Sequence, residues 1–213
     1  MMKEQLYLVS KRAIDIIVSL LALTIFSPLF IMIAIAIKLE SKGPVFYKGS
    51  RLGKNRATIT IYKFRTMCID AEEKLSRMLS ENPVLAEEWA TYQKLSPDPR
   101  TTKLGHFLRK TSLDELPDFF CVLKGDISLV GPRAYIKNLI EPEHLAKYPL
   151  LFKDIFSVKP GITCLWQISG RSTLTHQDKI FLDSLYSKQK SLAKDFSIIL
   201  KTIPVVLQRQ GAV

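Results

Sequence analysis

IIVSLLALTIFSPLFIMIAIAI, from Ile16 to Ile37, runs 22 residues without a charge, and its reading decides how the rest of the chain is placed. As a helix it would reach roughly 33 Å, against about 30 Å for the hydrocarbon core of a bilayer. A cleaved signal peptide fits poorly, because the run is too long for an h-region and no small-x-small cleavage site follows it. A fully buried soluble helix of this length would be unusual in a chain of 213 residues. Lys11 and Arg12 precede the run, and Lys38, Lys42, Lys48 and Arg51 follow it. Cations on both flanks leave the positive-inside rule without a preferred side. Ser27-Pro28 sits near the middle. A mid-helix proline removes a backbone hydrogen bond and kinks the helix, and a neighbouring serine hydroxyl can satisfy the freed carbonyl. Two topologies answer to these residues. One is a re-entrant helix over 11–40 that dips into one leaflet and returns to the cytoplasmic face. The other is a kinked helix that spans.

Outward from this segment the chain reads as a single α+β domain, 1–213, mostly helical, with 41–213 as a cytoplasmic, membrane-associated part. Gly43–Gly49 and Thr58–Phe64 are β-rich runs separated by RLGKNR, which predicts a short β-hairpin. Asp70–Leu95 has helical periodicity, and SPDPR at Ser96–Arg100 is a loop. Leu113, Leu116, Phe120 and Leu123 suit a helix ending at Lys124-Gly125. Leu145–Phe156 and Leu174–Lys190 read as amphipathic helices at a membrane surface. Asp195–Arg209 carries a last apolar run. No internal repeat or linker divides the chain.

Lys and Arg outnumber Asp and Glu by 31 to 20, for a net charge of +11 and a pI near 9.6. That balance asks for an anionic partner: nucleic acid, an anionic membrane surface or a phosphate-rich substrate. No recognised nucleic-acid-binding signature accompanies the cations, so nucleic acid is not an expected partner. Cys68, Cys121 and Cys164 are far apart and form no CxxC pair, which argues against disulfide scaffolding and a zinc site. His106, His144 and His176 lack metal-ligand spacing.

The chemistry concentrates in LRKTSLDELPDFFCVLKGDISLVGPR, Leu108–Arg133. Asp114, Glu115 and Asp118 stand close to Arg109 and Lys110. Ser112-Leu-Asp-Glu115 can be a capping box. With Asp114 as N-cap instead, Pro117 falls among first-turn positions whose amides are free. Either register puts Asp114 and Glu115 at the positive end of a helix dipole, which favours their ionised form. An ionised carboxylate can attack phosphorus or ligate Mg²⁺, which commonly takes one or two carboxylates plus substrate phosphates. Helix capping alone would also explain the pair. In Tyr62-Lys-Phe-Arg-Thr-Met67, Lys63 and Arg65 on a strand share a face, about 7 Å apart, a spacing that suits a diphosphate as well as a solvated face. Gly131-Pro132-Arg133 is a rigid turn presenting one guanidinium able to grip a phosphate in bidentate fashion. Lys159–Thr163 through Gly170-Arg171 places turn residues around Leu165-Trp166-Gln167, as a sugar-recognition loop or as a buried aromatic.

KRAID, FSP inside the apolar run, YKFRTM, SLDELP, VLKGDISLVGPR, KPGIT, WQISGR and the closing LD-x-x-Y together resemble the bacterial sugar transferase family, the monotopic polyprenyl-phosphate phosphoglycosyl transferases. The motifs fall in family order from Lys11 to Gly211, and the chain resembles the bare catalytic unit without the extra N-terminal transmembrane helices of larger members. The resemblance implies a Mg²⁺-dependent two-step reaction at the cytoplasmic face of the bacterial inner membrane. Asp114 would attack the β-phosphate of a UDP-sugar and release UMP, and polyprenyl (undecaprenyl) phosphate would then take the phosphosugar. Asp114 and Glu115 would be catalytic and would hold Mg²⁺, Glu115 binding or orienting it. Lys63, Arg65, Arg109, Pro132, Arg133 and Arg171 would bind substrate. Ser27-Pro28 matches the family's re-entrant break. Membrane lipids, and a second copy of the chain in a homodimer, complete the expected partners. Two departures stand out: Ala134 where the family often has Pro, and Cys164 where it usually has Gly, which bears on the local backbone. WQISGR and the RQGA ending resemble the hexose-1-phosphate (galactose or glucose) branch more than the diacetamido-sugar branch. The rival reading is a non-catalytic, membrane-tethered protein that binds anionic lipid through its basic face, at about 1 kcal/mol per cation. That reading gives Asp114 and Glu115 no special part.

Overall fold

A computed structural model of the chain describes residues 2–92, 95, 97–136, 145, 147–171 and 174–208. His144 and the RQGA ending lie outside the described residues. The apolar stretch is divided between α1 (Met2–Ile25) and α2 (Ser27–Glu40), bent by 61° at the break between them. Pro28 has no N–H for the Thr24 carbonyl, and the Ser27 hydroxyl donates to that carbonyl instead at 2.8 Å. Neither helix alone is long and apolar enough to cross a membrane; the bent pair together meets that length and composition. Ile17, Leu21, Ile25, Ile31, Met32 and Ile35 are each more than half exposed, a larger apolar patch than scattered surface residues make. The opposite side of α2 is buried, with Ile33 and Ile37 packing on Phe64 and Leu108.

α1 starts well before the apolar run, and the KRAID segment within it is a polar clamp. Lys11 pairs with Asp195 at 2.8 Å. Arg12 donates to the carbonyls of Val122 and Leu123 at 2.6 and 2.7 Å, satisfying carbonyls that a helix end leaves without intrahelical donors. Buried Asp15 accepts from the Ser128 hydroxyl and the Leu129 amide, both at 3.0 Å. The foot of the apolar helix is thereby fixed to three separate segments.

The expected hairpin is present as β1 (Phe46–Leu52) and β2 (Thr58–Phe64), antiparallel from Phe46 opposite Phe64 to Leu52 opposite Thr58. β1 begins three residues later than the Gly43–Gly49 reading, because Gly43 turns the chain at φ 121° ahead of Pro44. Arg51 and Leu52 continue the ladder instead of forming the loop. The periodic stretch expected over Asp70–Leu95 is two helices, α3 (Ala71–Glu81) and α4 (Pro83–Tyr92). Pro83 interrupts the hydrogen-bond ladder, and the Asn82 side chain caps the second helix through the amides of Val84 and Leu85 at 3.0 and 3.3 Å.

α5 (Lys103–Thr111) is capped by Thr102, whose hydroxyl accepts from the Gly105 amide at 2.9 Å. It lies so close to the KFRT segment that a Cβ on Gly105 would meet the Thr66 carbonyl oxygen at 2.0 Å. A 3-10 turn (Leu113–Glu115) leads into α6 (Asp118–Lys124), which ends on Gly125 at φ 91°, as expected. β3 (Ser128–Val130) follows, and β4 (Tyr135–Ile136) adds to the far side of β1, giving the order β2-β1-β4. α7 (Pro149–Ile155) precedes β5 (Gly161–Thr163), which runs parallel to β3. α8 (His176–Gln189) opens on a complete capping box between Thr175 and Asp178. α9 (Leu192–Leu207) begins three residues before the expected Asp195, since the Ser191 hydroxyl caps the Lys194 amide at 3.2 Å. The central core joins Ile61, Cys121, Val122, Val130, Tyr186 and Ile198, so hairpin, α6, β3 and the two last helices share one interior.

Candidate active site

The acidic pair follows neither capping register. Ser112 ends α5 in the left-handed region at φ 58° and makes no side-chain cap, and Pro117 occupies the position before α6. Asp114 and Glu115 therefore project from the 3-10 turn between two helices. This reverses the expectation for one of them. Burial raises the Asp114 carboxyl above the usual range, with Lys63, Arg109 and Arg133 opposing and Glu115 reinforcing. Burial acts on Glu115 in the same direction, but Lys63 and Arg133 outweigh it and hold that carboxyl well below the usual range.

Glu115 is the hub of the site. Its Oε1 accepts from Lys63 Nζ and from Arg133 Nη2, the latter at 2.9 Å. Lys63 comes from β2 and Arg133 from the turn after β3, so three segments meet on one oxygen. Asp114 has no hydrogen bond or ion pair among the described residues and stays available to something outside the chain. Arg109 reaches toward it from α5, held by Thr66 Oγ1 at 2.9 Å and Thr101 Oγ1 at 3.3 Å. Arg171, at φ 51°, donates to the Ser112 hydroxyl at 3.4 Å and so borders the same turn.

Arg65 goes elsewhere. β2 ends at Phe64, and the Arg65 guanidinium donates to the Lys42 carbonyl at 2.7 Å and to both oxygens of Ser41 at 2.9 Å. It holds the C-terminal end of α2, so the expected Lys63/Arg65 diphosphate pair is not brought together on one strand face. Pro132 is buried and contributes its carbonyl, which accepts from the Gly161 amide at 2.9 Å. GPR and KPGIT meet here at a distance that only glycine tolerates: a Cβ on Gly131 would lie 2.4 Å from the Lys159 carbonyl oxygen, and one on Gly161 would lie 2.1 Å from the Gly131 amide nitrogen. Cys164 is not among the positive-φ residues, so its backbone makes no demand for the glycine usual at that position. The amide of buried Cys164 donates to Gln167 Oε1 at 2.8 Å.

Three further residues border the site, and no motif gives their burial. Asp183, fully buried on α8, accepts from the Arg133 amide at 3.2 Å and the Tyr135 hydroxyl at 2.9 Å, fixing the turn that carries Arg133. Asp118 is buried one turn after Asp114, with one carboxylate oxygen lacking a hydrogen-bond partner among the described residues. Burial lowers the pKa of Arg51 on β1, with Tyr47 opposing and the Arg133 charge adding to it. The LD-x-x-Y spacing pointed at Asp183 and the acidic run at Asp118, but nothing local reports burial.

Asp118 and Asp183 also set a pH dependence. Burial pushes both carboxyls up to about 7, Asp118 with further repulsion from Glu115 and Asp114, and Asp183 against the Tyr135 hydrogen bond. Unfolded, each would titrate near 3.9. Between these values the folded state binds more protons than the unfolded, so stability falls as pH rises, by up to about 1.4 kcal/mol per unit for each group. In EDTA, the melting temperature at pH 6 is expected to exceed that at pH 8. Asp183→Asn should reduce the difference to about half. A melting temperature that rose from pH 6 to pH 8 would contradict this account of both carboxyls.

A model of the family described as bacterial sugar transferase matches residues 6–209. The chain belongs to the bacterial sugar transferase family. It is 43% identical over 203 residues to an uncharacterized sugar transferase of Haemophilus influenzae, and 41% identical over 202 residues to the undecaprenyl-phosphate galactose phosphotransferase of Salmonella typhimurium. Each alignment covers 95% of this chain but only 42% and 41% of those relatives, so the chain spans less than half their length. The exopolysaccharide production protein ExoY of Sinorhizobium fredii is 38% identical over 96% of this chain and 88% of its own. Beside the clamped Glu115, Asp114 has no hydrogen bond or ion pair among the described residues.

Proposed function

We propose that the chain transfers a sugar-1-phosphate, of the hexose-1-phosphate class, from a UDP-sugar to undecaprenyl phosphate and releases UMP, as the first membrane step in making a surface polysaccharide or glycoconjugate. Asp114 carries this reading, as a carboxylate with no hydrogen bond or ion pair among the described residues, set among Lys63, Arg109 and Arg133. Its oxygen attacks the β-phosphorus, a new P–O bond forms, and the bond from that phosphorus to the bridging oxygen breaks, so UMP leaves with the electron pair. The phosphate of the carrier then displaces Asp114. Splitting the transfer avoids bringing a nucleotide sugar and a lipid phosphate together at once. Arg109 and Arg133 stabilise phosphate charge, and Glu115 keeps Lys63 and Arg133 oriented. Arg65 serves by anchoring α2, and Pro132 and Arg171 shape the rim.

A magnesium ion fits the donor set. Among the described residues no three of His, Cys, Asp and Glu converge on one point, as a protein cage would require. Asp114 and the second oxygen of Glu115 are instead two carboxylate donors, with substrate phosphates to complete the set, the arrangement Mg²⁺ commonly takes. Bound there, Mg²⁺ would neutralise charge on the diphosphate. Incubation with a panel of UDP-sugars and Mg²⁺, with and without undecaprenyl phosphate, tests the reaction. UMP should appear with a hexose donor, and no UMP with any donor would overturn the assignment.

The bent pair α1–α2 is read as re-entrant, with both ends on the cytoplasmic side of the inner membrane and its exposed apolar face in lipid. Two observations support it: Ser27 satisfies the carbonyl that Pro28 orphans, and both ends of the pair are tied to the same catalytic body, by Lys11, Arg12 and Asp15 at one end and by Arg65 at the other. Single cysteines at position 5 and position 42, in a background lacking the native cysteines, should both resist impermeant reagents applied from outside intact cells. Protection of only one would mean that the pair spans.

A further inference from the structure

Lys179 is a cation for which the reaction above has no use. It lies one helical turn before Asp183 on α8, so the two side chains share a face. Asp183 receives the Arg133 amide on that face at 3.2 Å. Lys179 Nζ stands 5.3 Å from the centre of the Trp166 ring, in the WQISGR loop. Burial, and next the Arg133 charge, lower the Lys179 pKa. No carboxylate neutralises it among the described residues. Glu115 is held by Lys63 and Arg133 and Asp178 by the Thr175 capping box, while Asp183 meets the Arg133 amide and the Tyr135 hydroxyl through Oδ2 alone and makes no ion pair with Lys179 among the described residues. Lys188, on the same helix, differs in pairing with Asp154 at 3.1 Å. Two cations whose charges act on one another across a partly buried wall are disfavoured unless an anion joins them.

We propose that Lys179 and Arg133 form a phosphate subsite, walled by Trp166, that receives a phosphate group of one of the two substrates. The inference rests on the transferase reading and extends it to a residue and a wall of the site. The phosphate belongs either to the nucleotide sugar or to the lipid carrier. In a two-step exchange, kcat/KM for each substrate reports only its own half-reaction, so the two sources separate.

The variants are Lys179→Met, which keeps the aliphatic stem against Trp166, Lys179→Arg, which keeps the charge, and Lys188→Met as a control for lost surface charge. Lys179→Met should lower one of the two kcat/KM values by roughly 10- to 100-fold. Lys179→Arg should recover most of it, and Lys188→Met should leave both unchanged. A loss confined to the UDP-sugar assigns the subsite to its diphosphate, and a loss confined to the carrier assigns it to the lipid phosphate. Two values within about twofold of the parent, or equal losses together with a lower melting temperature, would overturn the proposal. Inorganic pyrophosphate, titrated by calorimetry without turnover, gives a separate reading. It should bind Lys179→Met at least about 10-fold more weakly than the parent, and equal binding would sink the subsite. If the parent binds pyrophosphate but releases no UMP from any donor, the transferase reading fails while the subsite stands.

Discussion

Asp114→Asn is expected to fold like the parent and to lose turnover by on the order of 10⁶-fold, the scale seen when a covalent nucleophile is removed. The amide matches the carboxylate in size, and no intramolecular hydrogen bond or ion pair of Asp114 is lost among the described residues. Stability should hold or rise slightly, because burial disfavours the charge that the substitution removes. The parent, mixed with UDP-sugar and Mg²⁺ but no polyprenyl phosphate, should accumulate a hexose-phosphate adduct on the peptide containing Asp114. Mass spectrometry detects it, and hydroxylamine should discharge it, as an acyl phosphate requires. Steady-state kinetics should be ping-pong, with UMP leaving before the carrier binds. An adduct that persisted in Asp114→Asn would move the nucleophile to another residue.

How much of this site was visible in the order of residues depends on whether the determining interaction is local. The Ser27-Pro28 break, the hairpin and the end of α6 at Gly125 rest on backbone rules that act within a few residues, and the structure contains them. The acidic pair and Lys63, Arg109 and Arg133 were also legible, since unlike charges packed into short motifs ask for an anionic substrate. β4 was not, because two residues carry no alternation and its pairing comes from β1 across more than eighty positions. Arg65 looked equivalent to Lys63 along a strand, but the strand ends between them and the α2 carbonyls lie nearer. KRAID reads as charge flanking an apolar helix, while its contacts are with Asp195, α6 and β3, all distant in sequence. The raised carboxyls of Asp118 and Asp183 follow from burial, which is a property of the assembled core.

The second large effect concerns Glu115, where stability and chemistry can be pulled apart. Lys63 and Arg133 converge on one Glu115 oxygen in a partly buried setting, and both lose their counter-charge in Glu115→Gln. Leaving a charge unpaired costs more than the pair contributes. With hydrogen bonds to charged groups at about 1.5–3 kcal/mol, a loss of about 2–3 kcal/mol is expected. For a chain of this size that corresponds to a melting temperature lower by roughly 5–10 °C. Turnover should fall by roughly 10²–10³-fold, as when one preorganised electrostatic group is removed. Low activity in this variant alone would not separate a damaged fold from a damaged site. Adding Lys63→Met removes the more buried of the two stranded cations, since the Lys63 side chain is 16% exposed and that of Arg133 is 36%. The double variant should recover most of the lost stability, a coupling that a double-mutant cycle reads directly. Activity should not return, because neither the cation nor the carboxylate is restored. If turnover rose in step with the melting temperature, Glu115 would be a residue of the fold, and the site would have to be rebuilt around Asp114 and Arg109 alone.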